Sequence, residues 1–496
     1  MTNENSSFDS TGITRRDFAR LATATTGALA LPGAAEAKLT SGKMTARYQY
    51  TVNHTEDKYA VATLIEFTSD AGFGDLDTLD VEYRRTTNPK PAAHAHLTTA
   101  EVGDVLDIPA AERLSHSPGS NPFWRLGEYP LGVFPEPKES TGFIDYEQMV
   151  DGLEHLESQH PDRLKFYSIG ESPGHYNYVT GEDDPKDIHV AELTNNVNDA
   201  ASFEGKEKVM FSLSLHGLER AGAEAGSRFI EDVLSGEDSD IADLLDDLVI
   251  VFVYSNADGW VAKHPQYESG WQLLGPEGGA PVVPFYERGN DGVYDTNRQA
   301  PSVGFINPGH YPGEPLGANL TDDEPGIDSD VPDYAAERVP DQMAIIEHFR
   351  EYENLNYGAD LHGALTSSKF VLGLISQDQF DHGQLHELYQ FNRTIDETLE
   401  PALSKWNTLA DAQQRLTGEL NPKALGFETL PEQAFDYAGI WDTIHYTVSG
   451  GVLDWMSHPE ELGGLGMTTM DFEMAYSHMI GSNVYDPELV DMQVLG

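Results

Sequence analysis

Three apolar runs in this 496-residue chain end in side chains able to bind a metal ion or carry a proton. VMFSLSL (209–215) leads into His216-Gly217-Leu218-Glu219, YGADL (357–361) leads into His362, and MTTMDF runs into Glu473. Each run has the length and apolar content of a buried strand. In an open α/β sheet ligands collect outside the carboxyl ends of the strands, so His216, Glu219, His362 and Glu473 are expected to converge although they lie far apart in sequence. Two histidines and one carboxylate are the protein ligands of a catalytic zinc that keeps its fourth position for water. A further glutamate can take that water's proton.

The His-x-x-Glu spacing alone is not selective, because it occurs four times, beginning at His189, His216, His348 and His458. His189 lies in a strand-like stretch, IHVAEL, where a spacing of three puts the two side chains on opposite faces. His348 and Glu351 share a charged helix face, where a solvated pair is expected. His458 is followed by Pro459 in an acidic loop with no strand leading in. Only His216 follows a buried strand and precedes a helix rich in Gly and Ala.

The elements that must hold these residues follow from periodicity. Between Met44 and Phe134, short alternating segments such as ARYQYTV and YAVATLIEF are broken by Gly, Pro and Asp, predicting a β-rich N-terminal segment or pro-region over 38–137. A Pro/Gly-rich linker ends near Gly142. Then Tyr146, Met149, Val150, Leu153 and Leu156 recur at helical spacing, and LKFYSIG reads as a strand. Further strands are predicted at 209–215, 248–255, 357–361 and 467–474, and helices at 222–234, 336–352 and 384–404. This alternation predicts an α/β fold over 138–496, an α/β/α sandwich around a mixed, largely parallel sheet. Acidic, Gly/Pro-rich stretches at 264–294 and 300–333 read as long surface loops, and insertions at 300–333 and 375–440 could narrow access to a site.

Composition excludes several classes of function. With 83 Asp+Glu against 30 Lys+Arg the formal charge is -53, and no basic stripe is available to bind nucleic acid. A hydrophobic content of 39% is enough to fill a core, so the chain is folded rather than disordered. Self-repulsion at this charge is relieved in molar salt, where the screening length falls to about 3 Å, which points to a halophilic protein. The absence of Cys excludes disulfides, thiolate metal sites and a cysteine nucleophile. Residues 14–20, TRRDFAR, precede a short apolar run and Ala35-Glu36-Ala37. Together they fit a twin-arginine signal spanning 1–37, with Arg15 and Arg16 as the pair read by the export machinery. No stretch reaches the roughly 20 uncharged residues of a transmembrane helix. A secreted, extracellular protein is the expectation.

The C-terminal third then resembles the zinc carboxypeptidases of the carboxypeptidase A and B type. IHYTVSGGVLDW followed by GMTTMDFEM is similar to that family's Tyr, Ser-Gly-Gly and Asp-Trp segment leading to the strand of its catalytic Glu. The order HGLE (216–219), NADG (256–259), DTNR (295–298), LHG (361–363), Tyr446, Glu473 also follows the family order. The similarity covers roughly residues 140–490. It implies that His216, Glu219 and His362 hold one Zn²⁺ per chain, and that Glu473 deprotonates the attacking water and passes the proton to the leaving amine. It further implies that Asn297 and Arg298 clamp the substrate's terminal carboxylate, that Tyr446 closes over the terminal residue, and that Leu453 occupies the specificity position, favouring apolar C-terminal residues. The family's carbonyl-polarising Arg lies between the NADG and DTNR segments, where this chain has Arg288. The chain departs from the pattern at Leu218, where the family often has Arg (the nearest here is Arg220), and at Ala257, where it has Pro. The implied activity is removal of single residues from peptide or protein C-termini. Hydrolysis of N-acyl amino acids by the same centre is the alternative enzyme reading, weakened by the separate Asn297-Arg298 clamp. A non-catalytic surface protein on this scaffold has no chemical need for Glu473.

Overall fold

The structure, a computed structural model, describes residues 39–54, 60–79, 81–117, 129, 131–140, 142–264, 266–267, 286–290, 294–300, 339–364, 369–376, 382–403, 433–444, 450–460, 464–475, 485 and 487–496. They fall into two compact units, the first ending at Gly142 and the second comprising Phe143–Gly496. The signal segment 1–37, Tyr446, and most of the stretches 264–294 and 300–333 lie outside the described residues. Among the described residues no helix is long and apolar enough to cross a membrane.

The first unit is a four-stranded antiparallel sheet of β1 (Val61–Phe67), β2 (Tyr83–Thr86), β3 (Ala92–Leu97) and β4 (Ala111–His116), in the order β2-β3-β1-β4. β1 alternates strictly, burying Val61, Thr63, Ile65 and Phe67, as a strand with one covered face must. Among the described residues three α-helices accompany it, Ala46–His54, Ala71–Leu76 and Thr99–Leu106, the last started by a capping box between Thr98 and Glu101. ARYQYTV is therefore helical rather than a strand. Its aromatic and β-branched residues suit a strand locally, but Tyr48 and Val52, four apart, both face the core, and the Tyr48 hydroxyl meets Thr63 Oγ1 at 2.7 Å.

His116 ends β4 in this core, 2.9 Å from Thr51 Oγ1 and edge-on to Tyr48. Burial, aided by the charge of Arg47, pushes its pKa down to about 4. A depressed histidine stabilises the fold while neutral. Its contribution is complete above the unfolded value of about 6.5, and it is lost as pH falls through 6.5 towards 4, amounting to about 3 kcal/mol. Amide exchange of β1 and β4 in the full chain, corrected for intrinsic rates, should show this loss between pH 6.5 and 4. His116→Gln should flatten it, and an unchanged slope in that variant would contradict the assignment.

The second unit contains β5 (Leu164–Glu171), β6 (His175–Asn177), β7 (Glu182–Asp184), β8 (Asp187–Leu193), β9 (Glu207–Leu213), β10 (Leu248–Tyr254), β11 (Leu355–Ala364), β12 (Lys369–Ile375), β13 (Gln433–Gly439) and β14 (Thr468–Ala475). Apart from the β6–β7 hairpin, these form one eight-stranded sheet, ordered β13-β12-β14-β11-β9-β10-β8-β5. The pairs β9–β10, β9–β11, β11–β14 and β12–β13 are parallel and the others antiparallel, giving the mixed, largely parallel sheet expected. LVIVFVY of β10 is buried almost throughout because helices cover both faces of such a sheet. Among the described residues the longest helices are Tyr146–Gln159, Ala221–Ser235, Pro340–Phe349 and His382–Leu403, with shorter ones between and after them. The stretch 375–440 is thus not all insertion, since it supplies the last of these helices and edge strand β13. His348 does not form a solvated pair with Glu351. Its Nε2 lies 3.1 Å from the Tyr167 hydroxyl and 3.2 Å from that of Tyr352, and both hydroxyls donate to Glu192.

Candidate active site

The loop carrying His216 and Glu219 is shaped by Ser214, which turns out of β9 with a left-handed φ of 54°. Its hydroxyl donates to the Glu219 carbonyl at 2.9 Å and accepts from the Ala223 N–H at 3.2 Å, folding HGLE tightly onto the start of the helix Ala221–Ser235. A Cβ at Gly217 would stand 2.3 Å from the carbonyl carbon of Gly259, so the loop rests backbone to backbone on the Asn256–Gly259 turn. The Asn256 carboxamide secures that contact. It accepts from the Gly259 N–H at 2.8 Å and donates to the carbonyls of Leu215 (3.0 Å) and Arg288 (2.9 Å).

β11 does not stop before His362, as expected, but runs on to Ala364. Its parallel pairing with β14 sets Asp360 beside Asp471 and His362 beside Glu473. Strand parity puts all four on one face of the sheet, the face towards which the HGLE loop folds.

The side chains then converge. Glu219 Oε1 is 2.8 Å from His216 Nδ1, Glu219 Oε2 is 2.9 Å from His362 Nδ1, and the two Nδ1 atoms are 3.1 Å apart. All three residues are buried. Behind them His216 Nε2 faces Asp295 Oδ1 at 3.1 Å and His362 Nε2 faces Asp360 Oδ2 at 2.7 Å. Arg288 Nε donates to Asp295 Oδ2 at 2.9 Å, and one of its terminal nitrogens approaches Glu219 Oε1 at 3.5 Å.

This donor set fits a divalent ion. A carboxylate stands behind each ring at Nε2, and the two Nδ1 atoms face the Glu219 oxygens and one another, an arrangement suited to a cation between them. The ligand atoms of His216, Glu219 and His362 lie within 4.8 Å of one another, and among the described residues no other group of His, Asp or Glu does so. Two nitrogens and one carboxylate suit zinc with an open fourth position.

The same contacts set the charge balance of the cluster. Burial alone would raise Glu219, but His216 and His362 hold it well below the usual carboxylate range. Burial likewise opposes the shift of Asp295, which Arg288, His216 and Arg298 bring well below its ordinary value. For His362, the negative charge of Asp360 and Asp471 outweighs burial and holds it well above the ordinary histidine value. Burial and then the charge of Glu219 push Glu473 up, and its Oε2 is buried with no hydrogen-bond partner among the described residues. A carboxylate so placed is a ready proton acceptor.

The remaining expected residues fall as follows. Asn297 joins the cluster, with Nδ2 3.1 Å from His362 Nε2 and Oδ1 accepting from the Val452 N–H at 2.8 Å. Arg298 is next to it and buried, one terminal nitrogen donating to the Asn297 carbonyl. Gly450, at a left-handed φ of 72°, packs where a Cβ would stand 2.3 Å from the Arg298 carbonyl oxygen, which accounts for a glycine at this position. Leu453 is buried with Leu374, Ile440 and the partly buried Leu372. Tyr446 lies outside the described residues. Arg220 does not face the cluster: it is buried between Trp260 and Tyr286, and donates to the Ile144 carbonyl. Asp295, Asp360 and Asn256 received no role from the sequence. The period-two spacing of Asp360 and His362 in a strand was the one available signal for Asp360.

The sequence pattern of the family described as zinc carboxypeptidase (Peptidase_M14) matches residues 149–478, two thirds of the chain. No curated protein matches it. Among solved structures it is similar to carboxypeptidase A from Helicoverpa armigera, with 13% identity, a TM-score of 0.42, and coverage of 89% of this chain and 95% of that one. It is also similar to bovine thrombin-activatable fibrinolysis inhibitor, solved with a tick carboxypeptidase inhibitor (13%, 0.41, 71% and 96%). A third is a metallo-carboxypeptidase from Burkholderia cenocepacia (12%, 0.37, 88% and 79%).

Proposed function

Because the chain belongs to the zinc carboxypeptidase family, we propose that it is an exported metallocarboxypeptidase that removes single residues from peptide and protein C-termini in concentrated salt. The observation that carries this reading is the meeting of the His216, Glu219 and His362 ligand atoms beside the strand position of Glu473. One zinc ion per chain would be held by those three side chains. When bound there, Zn²⁺ supplies Lewis acidity towards a carbonyl oxygen and lowers the pKa of water. Glu473 accepts the proton of the attacking water and returns it to the departing amine. Arg288, held by Asp295, offers positive charge to the carbonyl oxygen as negative charge develops on it. Arg298 and Asn297 hold the terminal carboxylate, Tyr446 closes over the terminal residue, and the apolar surroundings of Leu453 favour an apolar side chain there. Export through the twin-arginine route rests on Arg15 and Arg16, with 1–37 removed, 38–137 as N-terminal segment or pro-region and 138–496 as catalytic domain. Activity in salt rests on the charge of -53.

The test is a panel of peptides with free or amidated C-termini, incubated with the zinc-loaded protein in molar salt and followed by mass spectrometry. Single-residue loss from free C-termini alone is expected. Arg298→Lys keeps the charge but loses the planar fork, and should lower kcat/KM about 10- to 100-fold on those peptides, corresponding to about 1.5–3 kcal/mol for a charged hydrogen bond. Equal hydrolysis of amidated peptides, or faster hydrolysis of N-acyl amino acids, would overturn the proposal.

A further inference from the structure

The two histidines of the metal cluster are held from behind by different means. His216 is met by Asp295, which comes from a separate loop and is itself gripped by Arg288. His362 is met by Asp360, two residues earlier on the same strand, fully buried and 2.7 Å away. β11 is paired on both sides, with Asp360 opposite Ser212 of β9 and Asp471 of β14, so the backbone leaves the carboxylate little freedom. Among the described residues the other polar atom hydrogen-bonded to His362 Nε2 is Nδ2 of Asn297 at 3.1 Å, a donor that cannot accept the ring proton. Among the described residues Asp360 is the acceptor at this nitrogen.

We propose that Asp360 is a positioning residue, which pins the proton of His362 on Nε2 and fixes the ring so that Nδ1 is presented to the metal. The proposal rests on reading His216, Glu219 and His362 as a metal centre. Asp471 provides an internal control, because it is a neighbouring buried carboxylate on the same face, and its Oδ1 has no hydrogen-bond partner among the described residues. Replacing it alters a buried carboxyl of the same face without removing the contact to Nε2.

Zinc affinity, measured by competition with a chelator, should fall about 10- to 100-fold in Asp360→Ala. It should fall less in Asp360→Asn, whose amide oxygen can still accept, and less than threefold in Asp471→Asn. Substitution of Co²⁺ should shift the ligand-field absorption of Asp360→Ala and not of Asp471→Asn. Affinity within threefold of wild type in Asp360→Ala would overturn the proposal, and so would an equal loss in Asp471→Asn, which would mark a general effect of the buried carboxyls rather than the contact to Nε2. Should Asp360→Ala fail to fold, ¹⁵N spectra of histidine-labelled, zinc-loaded wild type decide the matter. The proton of His362 is expected on Nε2, and a proton on Nδ1 would refute the assignment. Wild-type protein that binds no zinc would refute the metal centre itself, a distinct result.

Discussion

Glu473→Gln is expected to lower kcat/KM for peptide hydrolysis by about 10²- to 10⁴-fold, the usual share of a general base, while leaving stoichiometric zinc bound. The substitution keeps shape and volume and removes only the ability to take a proton. Glu473 stands next to His362 across the β11–β14 ladder but contributes no atom to the ligand cluster, so the metal should remain. The fold should also survive. Burial and the nearby Glu219 already disfavour charge at this position, and a neutral amide removes that repulsion. Initial rates on a free C-terminal peptide, paired with metal analysis of the same preparation, check both halves. Hydrolysis within tenfold of wild type would take the proton-transfer role away from Glu473. Loss of metal together with loss of activity would make it a ligand instead.

His362→Ala should act on the metal first. A zinc site of four ligands is worth about 10–16 kcal/mol at neutral pH, so one protein ligand carries roughly 3–4 kcal/mol, on the order of 10²- to 10³-fold in affinity. Stoichiometric zinc should be lost at micromolar protein, and hydrolysis with it. In wild type, zinc at 100 times its dissociation constant stabilises the folded state by about 2.7 kcal/mol, so Tm should rise with added zinc and fall with chelator. In His362→Ala that dependence should vanish, because Glu219 and His216 alone do not enclose an ion. Calorimetry across a zinc series distinguishes this from a merely destabilised fold, which would lower Tm but keep its response to metal. A chelator that leaves both Tm and hydrolysis of the wild type unchanged would contradict the role of the cluster.

Much of this protein was legible along the chain because the signals are local. VIVFVY announces a buried strand through its own composition, and the spacing of Met149, Leu153 and Leu156 announces a helix, since burial selects residues at the period of each element. His216, Glu219, His362 and Glu473 were legible for a related reason: strand ends in an α/β sheet deliver side chains to a common edge. The charge of -53 needs no fold to be interpreted. Other features depended on packing between distant segments. ARYQYTV became a helix because Tyr48 and Val52 are buried four apart, a decision made by the β1 strand they cover. Asp295 reaches His216 across 79 residues of sequence, and Asn256 links the Leu215 and Arg288 backbones across 41 and 32 residues. The pairing of His362 with Glu473 is a matter of register, and a slip of one residue would turn Glu473 to the opposite face of the sheet. Local composition constrains which residues can serve in a site. Their distances and protonation are set by the contacts that folding makes between remote parts of the chain.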